Sequence, residues 1–130
     1  MSIVPRAFYW VCQSWRRHAA GYPIGSAVNS AVLALTKSLA DFGRLRQVRA
    51  NAINPGQIRT GRLDRRVHRL MESDGIDRPA AEAKLVRQNG ILRIGEPEDI
   101  AALVAFAASD VARHLHGAII DMDSGMTKGM

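Results

Sequence analysis

The sequence predicts an α/β fold that contains part of a doubly wound parallel sheet. An amphipathic helix over residues 26–42 is followed by a strand over 48–53, and a helix over 97–109 is followed by a strand over 118–122. Helices that alternate with short apolar strands are typical of parallel sheets with helical crossovers. A further observation is the Asn-Pro-Gly break at 54–56. It directly follows the first strand, at the sheet edge where open α/β folds bind ligands.

Length and composition favour one domain with a modest core. The chain has 130 residues, of which 47% are hydrophobic but only 5% aromatic, which favours thin layers of helix against sheet. Apolar residues near the start keep no clear period, so we expect an irregular segment over 1–21 and a single domain over 22–130. Cys12 stands alone in the sequence. This excludes an intrachain disulfide and favours a reducing compartment, with the cytoplasm as the expected location.

The net charge of +6 comes mainly from arginine, with a cluster between Arg59 and Arg69. Such a segment can bind nucleic acid or a phosphorylated ligand, but the more ordinary interpretation is the solvated face of a surface helix. No aromatic residue is interleaved with these arginines, so no nucleic-acid partner is expected. The longest uncharged apolar run, Ile100–Ala108, is shorter than the about 20 residues of a membrane span, so no membrane partner is expected either.

The first helix is predicted from apolar residues at helical spacing between a serine and a glycine. The residues of this apolar face are Val28, Ala31, Val32, Leu35 and Leu39. Ser26 can cap the amino end of the helix, and Gly43 can end it in a left-handed turn. The strand over 48–53 then alternates its side chains between two faces.

The middle of the chain predicts two polar helices over 61–89, separated by the Ser-Asp-Gly turn at 73–75. The last helix is predicted to begin at Pro97. Proline is favoured at the first position of a helix, because an N–H there would have no acceptor within the helix. Glu98 and Asp99 in its first turn interact favourably with the helix dipole. Gly117 then precedes the final strand.

Three blocks, in this order and at this spacing, resemble the short-chain dehydrogenase/reductase family over about residues 21–129. SAVNSAVLALTKSLA at 26–40 is similar to the family's active-site helix, and VRANAINPGQIRT at 48–60 to the next strand with its Pro-Gly motif. GEPEDIAALVAFAASDVARHLHGAIIDMDSGM at 95–126 is similar to the last helix, the last strand and the terminal turn. The resemblance implies the carboxyl-terminal half of a Rossmann-type sheet, with NAD or NADP as cofactor and hydride transfer between an alcohol and a carbonyl.

The same resemblance places Asn29 and Gly25 where family members carry the lysine and the tyrosine of the active site. In the family the lysine contacts the cofactor ribose and lowers the pKa of the tyrosine, which acts as general acid or base. Glycine has no proton to give and asparagine carries no charge, so we expect the isolated chain to be inactive. Tyr22 is the nearest phenol and a candidate substitute acid. The alternative is an ordinary loop aromatic residue, because Pro23 argues against continuous helix before it.

On the cofactor side, the residues that match the family motif are Pro55, Gly56, Ile58 and Thr60. The resemblance implies that the backbone at Ile58 meets the nicotinamide carboxamide and that the Thr60 hydroxyl meets a cofactor phosphate. A Pro-Gly pair after a strand can also be only a turn. The Gly-rich loop that binds the pyrophosphate is missing from the sequence, so we expect cofactor binding by this chain alone to be weak.

The expected protein is therefore a truncated short-chain dehydrogenase/reductase whose parent activity is NAD(P)-dependent oxidoreduction. A non-catalytic homologue that acts through oligomerisation is the second interpretation, and a small basic nucleic-acid binder is the third. The family commonly forms dimers and tetramers, which implies a homo-oligomer through helix 26–42 and through helix 97–109 with strand 118–122. His114 and His116 have no cysteine or carboxylate cluster nearby to complete a ligand set, so no metal site is expected.

Overall fold

The computed structural model describes residues 7–11 and 23–128. Strands and helices alternate along these residues. In chain order they are β1 (Ala7–Val11), α1 (Pro23–Arg44), β2 (Arg49–Pro55), α2 (Gly61–Asp74), α3 (Arg78–Asn89), α4 (Pro97–Ala108), a short 3₁₀ helix (Asp110–Ala112) and β3 (Ile119–Met122). None of the helices in the described ranges combines the length and the apolar character that crossing a membrane requires.

The strands form one parallel sheet in the order β1-β2-β3. Val11 lies opposite Ile53, and Ile53 lies opposite Ile120. β2 is buried along its whole length, as is typical of a central strand in a parallel sheet. The α/β class and the parallel pairing of the two predicted strands are therefore confirmed.

β1 corrects the expectation that residues 1–21 are irregular, because Ala7–Val11 is a strand that pairs with residues 49–53 of β2. The backbone N–H and C=O groups of the buried β2 need partners on both edges, and β1 supplies one of these edges. The aromatic and β-branched residues of AFYWV also have high strand propensity. The rest of the 1–21 segment lies outside the described residues.

Helix α1 begins at Pro23 and ends at Arg44, so it is longer than predicted at both ends. Proline is tolerated in the first helical turn, where an N–H would have no partner within the helix. Ser26 is therefore a buried residue of the helix rather than its cap, and Gly43 lies inside the last turn. A Cβ on Gly43 would lie 2.3 Å from the carbonyl oxygen of Val48. The position thus needs glycine for close approach to the chain that enters β2.

The face of α1 that packs on the sheet is not the apolar face that the periodicity predicts. Its buried residues are mostly small or polar. They are Ser26, Leu33, Thr36, Ala40 and Gly43. Val28 and Leu35, which we expected in the buried face, are 56% and 47% exposed. Small side chains allow the helix to approach the sheet closely, which leaves the larger apolar residues on its outer side.

Helices α2 and α3 form a hairpin with a small core of its own. The buried residues of this core are Leu63, Val67, Ala81, Leu85 and Ile94. Gly75 ends α2 with a φ of 64°, and the Asp77 carboxylate caps α3 by accepting a hydrogen bond from the N–H of Ala80 at 2.9 Å. The predicted division of 61–89 into two helices is confirmed. The hairpin is inserted in the crossover between β2 and β3, directly after residues 56–60.

Arg49, the first residue of β2, is buried and contacts the end of α4. Its Nη1 donates to the carbonyl oxygens of Ala107 at 2.7 Å, Ala112 at 3.0 Å and Leu115 at 3.2 Å. These carbonyls lie at or beyond the carboxyl end of α4, where a cation interacts favourably with the helix dipole. Within the described ranges Arg49 forms no ion pair with a carboxylate. The backbone carbonyls are therefore the main acceptors for its charge.

Candidate functional site

The candidate site lies at the carboxyl ends of β2 and β3, where Pro55 and Gly56 lead the chain out of the sheet. The N–H of Gly56 donates to the carbonyl of Met122 at 3.1 Å, which joins the two strand ends. A Cβ on Gly56 would lie 2.7 Å from the Cα of Asp123. Since only glycine permits this approach, the predicted Pro-Gly break is a packing requirement as well as a turn.

Ile58 pairs with Gly95 in a parallel bridge that determines the direction of its backbone. Gly95 donates its N–H to the carbonyl of Gln57 and accepts from the N–H of Arg59, both at 2.8 Å. In a parallel bridge these two bonds use the neighbours of Ile58, so the N–H and C=O of Ile58 itself point away from Gly95. A Cβ on Gly95 would lie 2.7 Å from the Cδ1 of Ile58. This second close approach also requires glycine.

The side chain of Arg59 connects the loop to α3 and to the start of α4. Its guanidinium donates to Glu82 at 2.8 and 3.1 Å, and its Nε donates to Glu96 at 3.0 Å. The hydrogen bonds to Glu82 and then to Glu96 raise the pKa of Arg59, and the bond from Arg59 is the largest cause of the lowered pKa of Glu82. Arg78 pairs with both Glu82 and Asp64 of α2. The network therefore holds the α2–α3 hairpin against the Pro-Gly loop.

Thr60 precedes α2 as its N-cap, but its side chain does not cap the helix. The Thr60 hydroxyl instead donates to the carbonyl of Ile58 at 3.4 Å. Gly61 follows without a side chain, and the nearest heavy atom to its Cβ position is Nη1 of Arg65 at 3.8 Å. The amino end of a helix favours a bound anion such as a phosphate, because its first N–H groups have no acceptor within the helix.

The opposite wall of the site is the turn Asp123-Ser124-Gly125 after β3. The carboxylate of Asp123 accepts hydrogen bonds from the N–H groups of Gly125 at 3.0 Å, Met126 at 3.2 Å and Thr127 at 2.7 Å. Burial raises the pKa of Asp123, but the hydrogen bonds from Thr127, Gly125 and Met126 together outweigh burial, and the net pKa is lowered. Asp123 therefore shapes the turn as an ionised carboxylate and is poorly suited to donate a proton.

A cleft of about 210 Å³ lies between these walls. Its lining comes from Gln57 and Ile58, from the 93–99 segment and from residues 122–124. The N–H groups of Leu92 and Arg93 donate to the carbonyl and the hydroxyl of Ser124 at 3.1 and 3.2 Å, so one wall is bonded to the other. The cleft is smaller than the roughly 300–1,000 Å³ of typical small-molecule sites, and it fits part of a ligand.

An ion pair between Arg93 and Asp99 stabilises the wall of the cleft that the 93–99 segment forms. Two guanidinium nitrogens of Arg93 donate to the two carboxylate oxygens of Asp99 at 2.7 and 2.8 Å. The N–H of Glu96 adds a third hydrogen bond to Asp99 at 2.7 Å. The bond from Arg93, followed by the bond from Glu96, lowers the pKa of Asp99 to about 2.

The lowered pKa predicts that Asp99 stabilises the fold in a pH-dependent way. The carboxyl titrates near about 3.9 in an unfolded chain and at about 2 in the folded chain, so its stabilisation is complete above this range and is lost as the pH falls through it. Asp99→Asn should lower the melting temperature at neutral pH, and the difference from the native chain should shrink between about pH 4 and about pH 2. Calorimetry across this range measures the difference, with Asp110→Asn at an exposed carboxylate as the control. A difference that does not change with pH would contradict the prediction.

The two positions where the resemblance places the tyrosine and the lysine of the family lie in the first turns of α1. Gly25 and Asn29 are both partly exposed and lie about one helical turn apart. Tyr22 lies outside the described residues. The structure thus brings Pro55, Gly56, Ile58 and Thr60 together in one loop, whereas Asn29 belongs to a different element. In the part of the chain that the structure describes, no group of three or more His, Cys, Asp or Glu residues is arranged to hold a metal ion.

Three contributors to the cleft were not predicted from the sequence. They are Gly95, the Arg93–Asp99 ion pair and the hydroxyl of Ser124. Gly95 lies two residues before Pro97, which was predicted to begin the last helix, but no local pattern indicates that Gly95 pairs with Ile58. The signal that could have drawn attention to this segment is the density of Arg, Gly and acidic residues over 93–99.

Comparisons with known proteins agree with this architecture. A family model described as enoyl-(acyl carrier protein) reductase matches residues 12–127. A probable 2,4-dienoyl-CoA reductase of Bacillus subtilis is 40% identical over 108 residues, which cover 82% of this chain and 39% of that protein. The crystal structure of L-sorbose reductase from Gluconobacter frateurii, complexed with NADPH and L-sorbose, matches with a TM-score of 0.87 and 25% identity over 98% of this chain and 49% of that one.

A second solved structure is also similar in fold. It is a short chain oxidoreductase from Pseudomonas aeruginosa PAO1 that contains an atypical catalytic center, with a TM-score of 0.78, 25% identity and coverage of 95% of this chain and 48% of that one. The chain thus spans about half the length, or less, of the relatives that it matches. The region that the family model matches includes β2, β3, the Pro-Gly loop and the turn after β3. The chain therefore belongs to the short-chain dehydrogenase/reductase family.

Proposed function

We propose that this chain carries the nicotinamide-facing part of an NAD(P)-dependent oxidoreductase site. The parent activity is hydride transfer between an alcohol and a carbonyl, and the L-sorbose reductase relative is complexed with NADPH. The bridge between Ile58 and Gly95 carries the proposal, because it turns one backbone donor and one acceptor of Ile58 away from Gly95. A carboxamide offers the complementary acceptor and donor. With Cys12 as its single cysteine, the chain suits a reducing compartment, and we place it in the cytoplasm.

The loop residues divide the binding of the cofactor between them. Ile58 would hold the carboxamide, and Thr60 with the start of α2 would hold a phosphate. Pro55 and Gly56 bring the loop against Asp123, which leaves a cleft that fits one ring of a dinucleotide. The bound cofactor supplies or accepts the hydride, and the protein's part is to bind and orient it.

We expect no proton donor at the position where the family carries its general acid. Gly25 and Asn29 stand where the resemblance places the tyrosine and the lysine, and neither can transfer a proton at neutral pH. A positioned general acid contributes about 10²–10⁴-fold to rate. Without a Gly-rich phosphate loop in the sequence, binding of NAD or NADP is also weak. We therefore propose that this chain alone is inactive.

A turnover assay tests this proposal. The full chain, supplied with NADH or NADPH and a panel of ketones and enoyl thioesters, should oxidise no cofactor above the uncatalysed rate, as read from nicotinamide absorbance. Measurable turnover would contradict the proposed inactivity, and Tyr22→Phe would then locate the acid. Turnover that disappears in this variant assigns the role to Tyr22, whereas turnover that persists assigns it to another group.

Association between copies of the chain is a second proposal, and it rests on the outer face of α1. Large apolar residues follow one another there at intervals of three, four or seven positions. They are Ile24, Val28, Leu35 and Phe42, with Leu45 directly after the end of the helix, and all five are exposed. Such a stripe is typical of helices that pack against a second helix, and large exposed apolar patches are uncommon on monomers. Phe106 of α4, 50% exposed, and the edge strand β3 offer a further surface. We propose a homo-oligomer through α1 and through α4 with β3.

Sedimentation velocity at micromolar concentration tests this association. The native chain should sediment as a dimer or a larger assembly, and Leu35→Glu should shift it towards monomer because a carboxylate would be buried in the apolar seam. Leu92→Glu is the matched control, since Leu92 is 89% exposed outside α1. A compact native monomer whose melting transition does not depend on concentration would contradict the proposal.

A further inference from the structure

Ser124, in the turn after β3, has a left-handed backbone conformation that residues with a side chain rarely adopt. Its φ is 58°, and in the described ranges Gln47 is the other non-glycine residue with a positive φ. Gln47 lies between α1 and β2, whereas Ser124 lines the cleft. Glycine takes this conformation without steric strain, and such strain tends to persist where a protein uses the residue. The contacts of the serine side chain show what offsets the strain.

The side chain of Ser124 joins two walls of the cleft. Its Oγ accepts a hydrogen bond from the N–H of Arg93 at 3.2 Å, and its carbonyl oxygen accepts one from the N–H of Leu92 at 3.1 Å. Leu92 is 89% exposed, so its apolar side chain adds little packing at this contact. A glycine at position 124 would keep the backbone bond and lose the bond to Arg93. That bond is therefore what the serine side chain contributes to the contact between the walls.

Hydrogen bonds between separate chain segments form a ring around the cleft. The N–H of Gly56 bonds to the end of β3, and Gly95 is bridged to Ile58. Ser124 closes the ring by bonding to residues 92 and 93. Gly95 follows residue 93 by only two positions, which span at most about 7 Å, so the contact at Ser124 limits where Gly95 can lie. The backbone of Ile58 is held in turn by its bridge to Gly95.

We infer that Ser124 is a positioning residue of the candidate site, whose hydroxyl holds the 92–95 segment and, through Gly95, fixes the backbone of Ile58. The inference deepens the proposed function and rests on it for the ligand that Ile58 binds. At position 124 serine holds this wall better than glycine would, whereas glycine would relieve the backbone strain. The residue thus exchanges some overall stability for local order at the site, as functional residues commonly do.

Amide hydrogen exchange of the full chain, measured by NMR, tests this inference through the N–H groups of Arg59 and Gly95. Both donate hydrogen bonds of the bridge, at 2.8 Å, so their exchange measures local opening of the loop. In Ser124→Gly this exchange should be about three- to tenfold faster, since the bond to Arg93 is lost. The melting temperature should nevertheless equal or exceed that of the native chain, because the strain is relieved. Unchanged exchange, or faster exchange at Arg93 alone, would overturn the inference.

Two further variants separate the hydroxyl from backbone strain and from flexibility. Ser124→Ala removes the hydroxyl but keeps a Cβ, so exchange at Arg59 and Gly95 should accelerate as in Ser124→Gly while the melting temperature falls. Gln47→Gly relieves the same strain outside the cleft, so it should raise the melting temperature and leave the exchange within about twofold of native. Native exchange rates in Ser124→Ala, or a lower melting temperature of Ser124→Gly with protection lost throughout the sheet, would overturn the inference.

Titration of the native chain with NADPH, followed by amide NMR, separates this inference from the proposed function. Faster bridge exchange in Ser124→Gly and Ser124→Ala, together with no NADPH-induced shift at Ile58, would refute the proposed function and leave the inference standing. NADPH-induced shifts at Ile58, together with bridge exchange that neither substitution changes, would overturn the inference and leave the proposed function standing.

Discussion

Replacement of Arg49 by methionine is expected to lower the free energy of unfolding by about 3 kcal/mol. The guanidinium is the shared donor to carbonyls of Ala107, Ala112 and Leu115, and methionine leaves these carbonyls without it. The Nε of Arg49 is buried without a partner in the described part of the chain, which keeps the net value below the sum of its hydrogen bonds. With a urea m-value of about 1–3 kcal/mol/M, the unfolding midpoint should fall by about 1–3 M.

Two variants control for charge and for packing. Arg113→Met removes an exposed arginine close to the same 3₁₀ helix and should change the midpoint little. Arg49→Lys keeps a positive charge but loses the forked geometry, so its midpoint should lie between those of the native chain and Arg49→Met. Equal midpoints for Arg49→Met and Arg113→Met would show that Arg49 does not hold the end of α4.

Gly56→Ala is expected both to destabilise the fold and to deform the cleft. The new Cβ would lie 2.7 Å from the Cα and 2.9 Å from the carbonyl oxygen of Asp123, which are backbone atoms that cannot move independently. The strand ends must separate, which weakens the hydrogen bond from Gly56 to Met122. Overpacking of this kind costs about 1–3 kcal/mol, and urea unfolding measures the loss. The amide resonances of residues 122–124 should shift in the variant, because they form the opposite wall.

Gly61→Ala is the matched control for this substitution. Gly61 is also a glycine of the same connecting region, but the nearest heavy atom to its Cβ position is 3.8 Å away. Alanine also has a higher helix propensity than glycine, so Gly61→Ala should be neutral or slightly stabilising. Equal effects of alanine at both positions would contradict the close approach that the structure shows at Gly56.

Local patterns were enough to predict most of the elements that form the site. Periodicity and turn chemistry within a few residues predicted the helix over 26–42, the break at 54–56 and the two polar helices over 61–89. The loop residues Pro55, Gly56, Ile58 and Thr60 could be identified because their spacing matches a family motif. These features require no knowledge of distant contacts.

Contacts between distant segments could not be predicted from such patterns. The periodicity of α1 shows that it has an apolar face, but the sheet packs against the small residues instead and leaves Leu35 outside. β1 pairs with β2, although the irregular pattern of the first residues gave no indication of a strand there. The same is true of the bridge between Ile58 and Gly95, since nothing in either local sequence specifies the other.

Backbone amide NMR during titration with NADPH and NADH tests most directly whether this chain carries the nicotinamide-facing loop. We predict weak, roughly millimolar binding, with the largest shifts at Ile58, Thr60 and the first residues of α2. Gly56→Ala should reduce these shifts, and Gly61→Ala should preserve those at Ile58. Shifts confined to other surfaces, or none at millimolar cofactor, would contradict the account.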